Sequence, residues 1–316
     1  MPTTRFIFYR LLQMLLVLFG TVTVLFFVIY LLVPGDAAQA ALGNHATPEA
    51  LENLRRELGL DRPVWVQYGI YLQHLAQFDL GTSQELQRGV GGIILEYLPA
   101  TIYLTLAALT LETLFGVGWG MLMALRRWPR LEALSSVTSA LLLALPVFFL
   151  GMLLQYVFAS RLGILPISGT GGWNPLNLVL PAITLAAAQT AIIAAVTQSS
   201  LSQEMDKPYI LAARARGLTR AQAMLKHGLR NVSGPVVTIL AIDLGTLLGG
   251  AMITEIVFSW PGMGRMVYNA ALFRDVPLVI GTVLVLVIIF VVINTIVDIL
   301  YGWLDPRVRA GEQANG

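Results

Sequence analysis

The chain has 316 residues, of which 56% are hydrophobic and only 12% are charged, and its mean hydropathy is +0.73. A soluble domain of this length rarely carries so little charge, so we expect long apolar segments that cross a membrane. Cysteine is absent, which excludes a disulfide framework, a thiolate metal site and a cysteine nucleophile. The net charge is +2, and the basic residues lie in short segments between apolar runs. This pattern fits membrane orientation better than nucleic-acid binding.

The first apolar run, residues 11–33, follows Arg5 and Arg10. A secretory signal has an apolar region of about 7–15 residues, and this run is longer. We therefore interpret it as a first membrane helix that is retained.

Six apolar runs are each long enough to cross a hydrocarbon core of about 30 Å. They cover residues 11–33, 99–125, 134–159, 176–196, 235–258 and 277–303. The third run contains Pro146, which predicts a kink. Most of the 20 Lys and Arg residues fall on the side that carries the N-terminus. The sequence thus predicts an all-α integral membrane protein with six transmembrane helices and both termini in the cytoplasm.

The loop after the first span, residues 34–98, is predicted to lie outside and to be helical. Thr47 can cap a helix that begins at Pro48, and Gly59 is a stop signal. A second helix is predicted over residues 63–76. The loop is expected to form a small cap and a contact surface for an outside partner. The predicted organisation is a first helix with its loop over 1–98, a core membrane domain over 99–303 with an inner loop at 199–234, and a tail over 304–316.

The inner loop between the fourth and fifth spans contains a basic, helix-prone stretch at residues 209–235. Residues 210–216 favour a helix, and Gly217 suits the left-handed position that ends one. Thr219 and Gln222 have the spacing of a capping box that begins a second helix. A solvated basic linker and a helix that lies on anionic lipid are the alternatives. The alanine-rich first helix lacks the bulky apolar face that lipid requires, so we favour a docking surface for another protein.

Four acidic residues fall within the predicted spans, namely Glu112, Asp243, Glu255 and Asp298. An acid near the bilayer centre costs about 2.5–3.5 kcal/mol on insertion scales, so it usually faces a cavity or a polar partner. Asp243 and Glu255 are the better candidates for a translocation path. Their helix also carries Gly245 and Gly249, and glycine permits close approach of helices. We favour a structural role for Asp298, as a hydrogen-bond partner of a neighbouring helix, and a structural role for Glu112 is as well supported as a functional one.

Several sequence motifs together carry a family resemblance. In the inner loop they occupy residues 209–210, 213–218, 227–231 and 235, and elsewhere residues 34–36, 57–63, 79–83, 98–101, 165–169, 254–264 and 305–307. With this ordered set, the chain resembles the B-type permease subunit of the dipeptide, oligopeptide and nickel ABC importers. The wider superfamily carries Glu-Ala-Ala six residues before the loop glycine. This sequence has Leu211-Ala212-Ala213 there, so the acid is absent.

The resemblance implies a permease of the bacterial inner membrane that pairs with a second, homologous permease as a heterodimer, surrounded by lipid. It also implies that two cytoplasmic ATPase subunits dock on coupling helices in the inner loop. A periplasmic or lipid-anchored binding protein would deliver cargo on the other side, where the 34–98 loop lies. The expected ATPase-docking residues are Leu211, Ala212, Ala213, Arg214, Arg216, Gly217 and Arg220. The expected contacts with the binding protein are Trp173, Trp260, Pro261 and Gly262.

No segment has the G-x-x-x-x-G-K-[ST] pattern of a phosphate-binding loop, and Lys207 and Lys226 are the only lysines. His45, His74 and His227 have no metal-ligand spacing. We therefore expect a transport subunit and not an enzyme. We also expect it to bind no cofactor, with ATP and Mg²⁺ held by partner subunits, and no nucleic acid.

Short peptides are the cargo that the resemblance implies, and nickel, a metal chelate or a glutathione-like compound are alternatives within the family. An ion-coupled secondary transporter that uses Asp243 or Glu255 is the alternative from another class. An anchor subunit of a respiratory enzyme is less favoured, because no span offers a convincing histidine ligand.

Overall fold

The computed structural model describes residues 3–32, 47–57, 61–125 and 129–304, and these are nearly all helical. The helices in chain order are α1 (Thr3–Leu32), α2 (Pro48–Glu57), α3 (Val64–Ala76), α4 (Val90–Ala124), α5 (Pro129–Ala144), α6 (Val147–Leu154), α7 (Pro175–Met205), α8 (Pro208–Ala215), α9 (Arg220–Ala223), α10 (Leu229–Val257), α11 (Met263–Leu272) and α12 (Val276–Leu304). Two π-helical segments extend them: Gln155–Arg161 follows α6, and Met224–Gly228 joins α9 to α10.

Four of the described helices, α1, α4, α7 and α12, are long and apolar enough to cross a membrane. A fifth span would be the pair α5 and α6, which is bent by 109°. Helix α10 was expected to be a span as well, but the side chains of Thr246 and of residues 248–250 lie outside the described part. The structure therefore supports a multi-span helical protein with four or five apolar spans.

The predicted third span is broken at Pro146, whereas the sequence predicted a kink within one helix. Pro146 has φ −59° and ψ 138° and stands immediately before α6, so the helix stops and restarts there. Proline lacks an N–H, and its ring disfavours helical geometry at the preceding residue, which accounts for the break.

The chain divides into two compact units, Met1–Ala100 with Pro261–Val291 and Thr101–Trp260 with Val292–Gly316. In the first unit, α1 packs on α3, where the rings of Phe26 and Tyr71 stack at 5.6 Å. Asp275, at the start of α12, is buried and accepts hydrogen bonds from Ser83 Oγ at 2.5 Å and from the Glu85 backbone N–H at 3.2 Å. This carboxylate ties the segment before α4 to α12.

The outer-loop helices begin where the sequence predicts them. Helix α2 starts at Pro48, and the Ala50 backbone N–H donates to Thr47 Oγ1 at 3.3 Å. Helix α3 spans the predicted second segment. The stop signal at Gly59 lies outside the described residues.

In the second unit, α4 and α7 approach each other closely at Gly116 and Gly120. A methyl group added at Gly120 would lie 2.5 Å from Thr197 Cβ and 2.6 Å from the Ala194 carbonyl oxygen. One added at Gly116 would lie 2.7 Å from Ile193. These glycines therefore set the distance between two helices of the membrane domain.

Substituting Gly120 by alanine is expected to destabilise the second unit, because α7 must move to admit the methyl group. The expected loss is about 1–3 kcal/mol, measured as a lower midpoint of thermal unfolding in detergent. Gly118→Ala is the matched control, since no atom lies within 4 Å of the added carbon and alanine favours a helix over glycine. An equal loss in both variants would contradict the close contact.

Candidate functional site

The predicted docking segment forms α8, which has one buried and one exposed face. Ile210 is fully buried, whereas its neighbour Leu211 is 51% exposed. Ala213 is half-buried. The other exposed members of the predicted docking set are Ala212, Arg214, Arg216 and Gly217. An exposed leucine and Arg214 therefore lie on a short helix whose other face is anchored in the protein, and Arg216 stands at its C-terminal end.

The turn after α8 has the predicted chemistry. Gly217 has φ +96°, a conformation that favours glycine, and it ends the helix as a C-terminal glycine does. Thr219 caps α9 by accepting from the Gln222 backbone N–H at 3.2 Å. Gln222 Oε1 accepts in return from the Thr219 backbone N–H at 3.0 Å, which completes the capping box.

The second helix of this loop does not end before the fifth predicted span. Helix α9 continues through the π-helical Met224–Gly228 segment directly into α10, which contains Pro235 in its interior. The sequence was interpreted as two short helices followed by a separate span that begins at Pro235. A π-helical turn holds one residue more than an α-helical turn and does not end the helix, so α9 and α10 form one continuous helix.

Arg220 is held by this chain itself. Its Nη2 donates to the carbonyl oxygen of Ala124, the last residue of α4, at 3.3 Å. A guanidinium at a helix C-terminus satisfies a carbonyl that has no partner within the helix. Arg220 therefore braces the loop against α4.

Glu204, which no sequence motif indicated, lies in the last turn of α7 and is 6% exposed. Its Oε2 pairs with Lys207 Nζ, and its Oε1 accepts hydrogen bonds from the Tyr209 hydroxyl and, at 3.0 Å, from Asn231 Nδ2. The hydrogen bond and charge of this carboxylate raise the pKa of Lys207 above its ordinary value. Asn231 lies 27 residues away along the chain, so no local pattern could have revealed the contact.

The two acids predicted to line a path are both buried. Asp243 in α10 is 1% exposed, and its Oδ1 accepts a hydrogen bond from Gln189 Nε2 of α7. Glu255, near the end of α10, accepts from Thr101 Oγ1 at 2.7 Å. Glu112 of α4 is fully buried and interacts with Asp243. The role of these acids in a path stays a prediction.

The remaining predicted path residues are glycines of α10, and the remaining intramembrane acid is Asp298. Gly245 is buried, whereas the surroundings of Gly249 lie outside the described part. The side chain of Asp298 in α12 also lies outside it.

The predicted contacts for an outside partner differ in exposure. Trp173 is 55% exposed and has φ +69°, next to two glycines. Its ring meets that of Trp260 edge-to-face at 6.1 Å, and Trp260 is only 2% exposed. Trp173 therefore presents the surface, and Trp260 supports it from below. Pro261 is half-buried and Gly262 is buried.

Long apolar helices with buried polar pairs between them, and an exposed helix anchored at the end of one of them, are the features of a multi-span membrane protein. The chain belongs to the family described as binding-protein-dependent transport system inner membrane component, whose sequence profile matches residues 116–310. The profile for the N-terminal part of such membrane components matches residues 3–105. The predicted family is thereby confirmed.

Relatives that match along almost the whole chain agree with this assignment. The dipeptide transport system permease protein DppB of Alkalihalophilus pseudofirmus is 38% identical over 326 residues, which cover 95% of this chain and 98% of that protein. The glutathione transport system permease protein GsiC of Escherichia coli strain K12 is 36% identical over 307 residues, which cover 96% and 99%.

Solved structures of ABC transporters share the fold. An inward-facing structure of the MetNI methionine ABC transporter has a TM-score of 0.57 at 19% identity and covers 67% of this chain and 96% of that chain. An amino acid ABC transporter with histidines has a TM-score of 0.52 at 18% identity, with 69% and 94% covered. At these identities the likeness concerns the fold alone.

The chain is thus a multi-pass permease subunit of an ABC importer in the bacterial inner membrane. It is not an enzyme, since ATP hydrolysis in such importers takes place on partner subunits. The expected class and location are confirmed.

Replacing Gly217 by valine is expected to uncouple ATP hydrolysis from uptake. No atom lies within 4 Å of the added Cβ, so the cost is backbone strain of about 1–2 kcal/mol and not a clash. Relief of that strain reorients α8 relative to α9. We expect cargo imported per ATP hydrolysed in proteoliposomes to fall about tenfold, which corresponds to about 1.4 kcal/mol.

Gly163→Val is the control for this variant, because Gly163 also has a positive φ of 63° and open space around it, but lies outside the loop. Coupling should stay at the wild-type level there. Unchanged coupling in Gly217→Val would contradict a mechanical role for this turn.

Proposed function

We propose that this chain and a second, related permease together enclose a path for short peptides. Two ATPase subunits would dock on the α8 face, and an extracytoplasmic binding protein would deliver the cargo. The observation that carries the proposal is the exposed face of α8, with Leu211 and the arginines outward and Ile210 buried beneath. The relatives named for dipeptide and glutathione transport, matched along more than nine-tenths of this chain, support the cargo class.

The proposed topology has six spans and both termini in the cytoplasm. Helices α1, α4, α7 and α12 and the bent α5–α6 pair supply five spans. Helix α10 would supply the sixth, since it is 29 residues long and an α-helix rises about 1.5 Å per residue. This arrangement places α8 on the cytoplasmic side and the α2–α3 segment on the periplasmic side.

Each predicted site receives a specific role. Leu211, Ala212, Ala213, Arg214 and Arg216 would contact the ATPase subunit, while Gly217 and Arg220 hold the loop in shape. Trp173 would meet the binding protein, and Trp260 would support it from beneath. Pro261 and Gly262 directly follow Trp260 in the sequence and would belong to the same contact. The chain itself would hold neither nucleotide nor metal, and ATP and Mg²⁺ would bind on the partners.

Short peptides also fit the charges between the helices. A peptide carries an ammonium group at its N-terminus, and a carboxylate such as Asp243 or Glu255 attracts it in a medium of low dielectric constant. Glutathione, a small peptide, belongs to the same chemical class, so both relatives' cargoes are compatible with one path.

Purification of the tagged chain from a strain that also expresses its neighbouring genes tests the proposal. We expect a second permease and an ATPase subunit to co-purify. Uptake of a labelled dipeptide into vesicles should need ATP and the binding protein. Unlabelled glutathione is added as a competitor, and it should lower this uptake if both cargoes use one path. Uptake that needs no ATPase partner and collapses with the proton gradient would favour a secondary transporter instead.

Asp243→Asn is expected to lower dipeptide uptake about tenfold while ATPase subunits stay bound, because the amide no longer attracts an ammonium group. The readout is the initial rate of uptake at fixed ATP. Asp298→Asn, the same change in α12, should leave uptake near the wild-type rate. Equal rates in the two variants would remove Asp243 from the path.

A further inference from the structure

Three helices meet at one buried carboxylate on the inner side of the second unit. Glu204 belongs to α7, Tyr209 to α8, and Asn231 to the first turn of α10. The Tyr209 hydroxyl donates to Glu204 Oε1, and Asn231 Nδ2 donates both to this oxygen at 3.0 Å and to the Tyr209 hydroxyl oxygen at 2.6 Å. The three side chains therefore form a closed triangle in which each donor has an acceptor.

The fourth member of the group neutralises the carboxylate. Lys207 Nζ pairs with Glu204 Oε2, and this lysine lies in the short connection between α7 and α8. Hydrogen bonds to an ionised acceptor are about twice as strong as those between neutral groups. Removal of the charge at Glu204 therefore weakens every contact that this carboxylate makes in the group at once.

Apolar packing beneath the group anchors α8, and the hydrogen bonds of the group add a directional constraint. Buried Leu201, Met205, Ile210, Met224 and Val232 form one cluster there. The apolar interaction itself is non-directional, so it favours burial of Ile210 without specifying bond angles. Hydrogen bonds require specific angles, so the Glu204 group is the part that holds α8 at one orientation.

Glu204 does not contact a docked partner, because its side chain is 7% exposed. The exposed side of α8 carries Leu211 instead, at 51% exposure. Glu204 is therefore distinct from the outward-facing Leu211, whereas its partners Tyr209, at 40% exposure, and Asn231 are exposed. A substitution at Glu204 itself can thus separate docking from transmission.

We infer that Glu204 is the positioning residue that makes α8 and the inner ends of α7 and α10 move as one body. Motion of the docked ATPase subunits would then pass through Tyr209 and Asn231 into both helices. The inference rests on the proposed docking of those subunits at α8.

Glu204→Gln in the assembled transporter tests the inference, with Asp206→Asn as the matched control. Asp206 is the exposed residue that ends α7, so its variant removes the same charge two residues away. We expect Glu204→Gln to retain its ATPase subunits but to lose coupling. Amide hydrogen exchange over residues 208–215 should rise about tenfold, as the loss of one charge-assisted hydrogen bond predicts. Uptake per ATP should fall severalfold, and Asp206→Asn should change neither quantity.

A double variant adds a test that a merely structural role would not pass. Glu204→Gln with Asn231→Asp exchanges the amide and the carboxylate while both side-chain shapes are kept. The Tyr209 hydroxyl and the amide introduced at position 204 then both have a carboxylate to donate to, so slow exchange over 208–215 should return in part. Tyr209→Phe, which removes a single hydroxyl, is the deciding variant if Glu204→Gln does not assemble.

Two failures are distinguishable. Glu204→Gln and Tyr209→Phe variants that match Asp206→Asn in both hydrogen exchange and coupling would overturn the inference and leave the proposed function intact. A wild-type protein that retains no ATPase subunit would overturn the proposed function, and the hydrogen-exchange comparison would still decide whether Glu204 fixes α8.

Discussion

Polar groups between apolar helices must find partners inside the protein, since hydrocarbon offers none. In the second unit, two acids of α10 each accept a hydrogen bond from a neutral donor on another helix. Glu255 pairs with Thr101 of α4, and Asp243 pairs with Gln189 of α7. A shift of one residue turns a helix by about 100° and would carry either carboxylate away from its donor. The two pairs therefore fix the rotation of α10, the helix into which the docking loop leads.

The close contact of α4 and α7 belongs to the same arrangement. Glu112, Gly116 and Gly120 are spaced four residues apart and so share one face of α4. The glycines bring that face against Ile193 and Thr197 of α7. Glu112 lies one turn before Gly116 and is fully buried, and it interacts with Asp243. Close packing thus brings the acids Glu112 and Asp243 and the amide of Gln189 together, although they come from three different helices.

Local chemistry made the docking loop predictable. Gly217 and the Thr219–Gln222 capping box act within a few residues, and the structure contains both. At Pro146 the sequence predicts a kink, and the structure shows a break with a bend of 109°. The angle of the bend could not be predicted, because it depends on what the two halves of the helix pack against.

Contacts between distant residues could not be foreseen. The structure shows a close approach of helices at Gly120 of α4, which no spacing in the sequence indicated, because such a contact depends on what a neighbouring helix places opposite the glycine. The close approach that the spacing of Gly245 and Gly249 suggested stays a prediction. Glu204 and Asn231 meet for the same kind of reason, as do Trp173 and Trp260.

The continuity of α9 with α10 changes how the loop can act. Two separate helices would have to act on α10 through a flexible joint, but here the second helix continues directly into α10. Gly217 then lies between the helix that faces outward and the helix that carries Asp243 and Glu255. Rotation of α8 reaches α10 along the backbone through α9, and reaches α4 through Arg220 and the Ala124 carbonyl. Since Leu211 stands where the wider superfamily has an acid, the exposed face proposed for docking is apolar and basic, and a buried acid of this region is Glu204, at the end of α7.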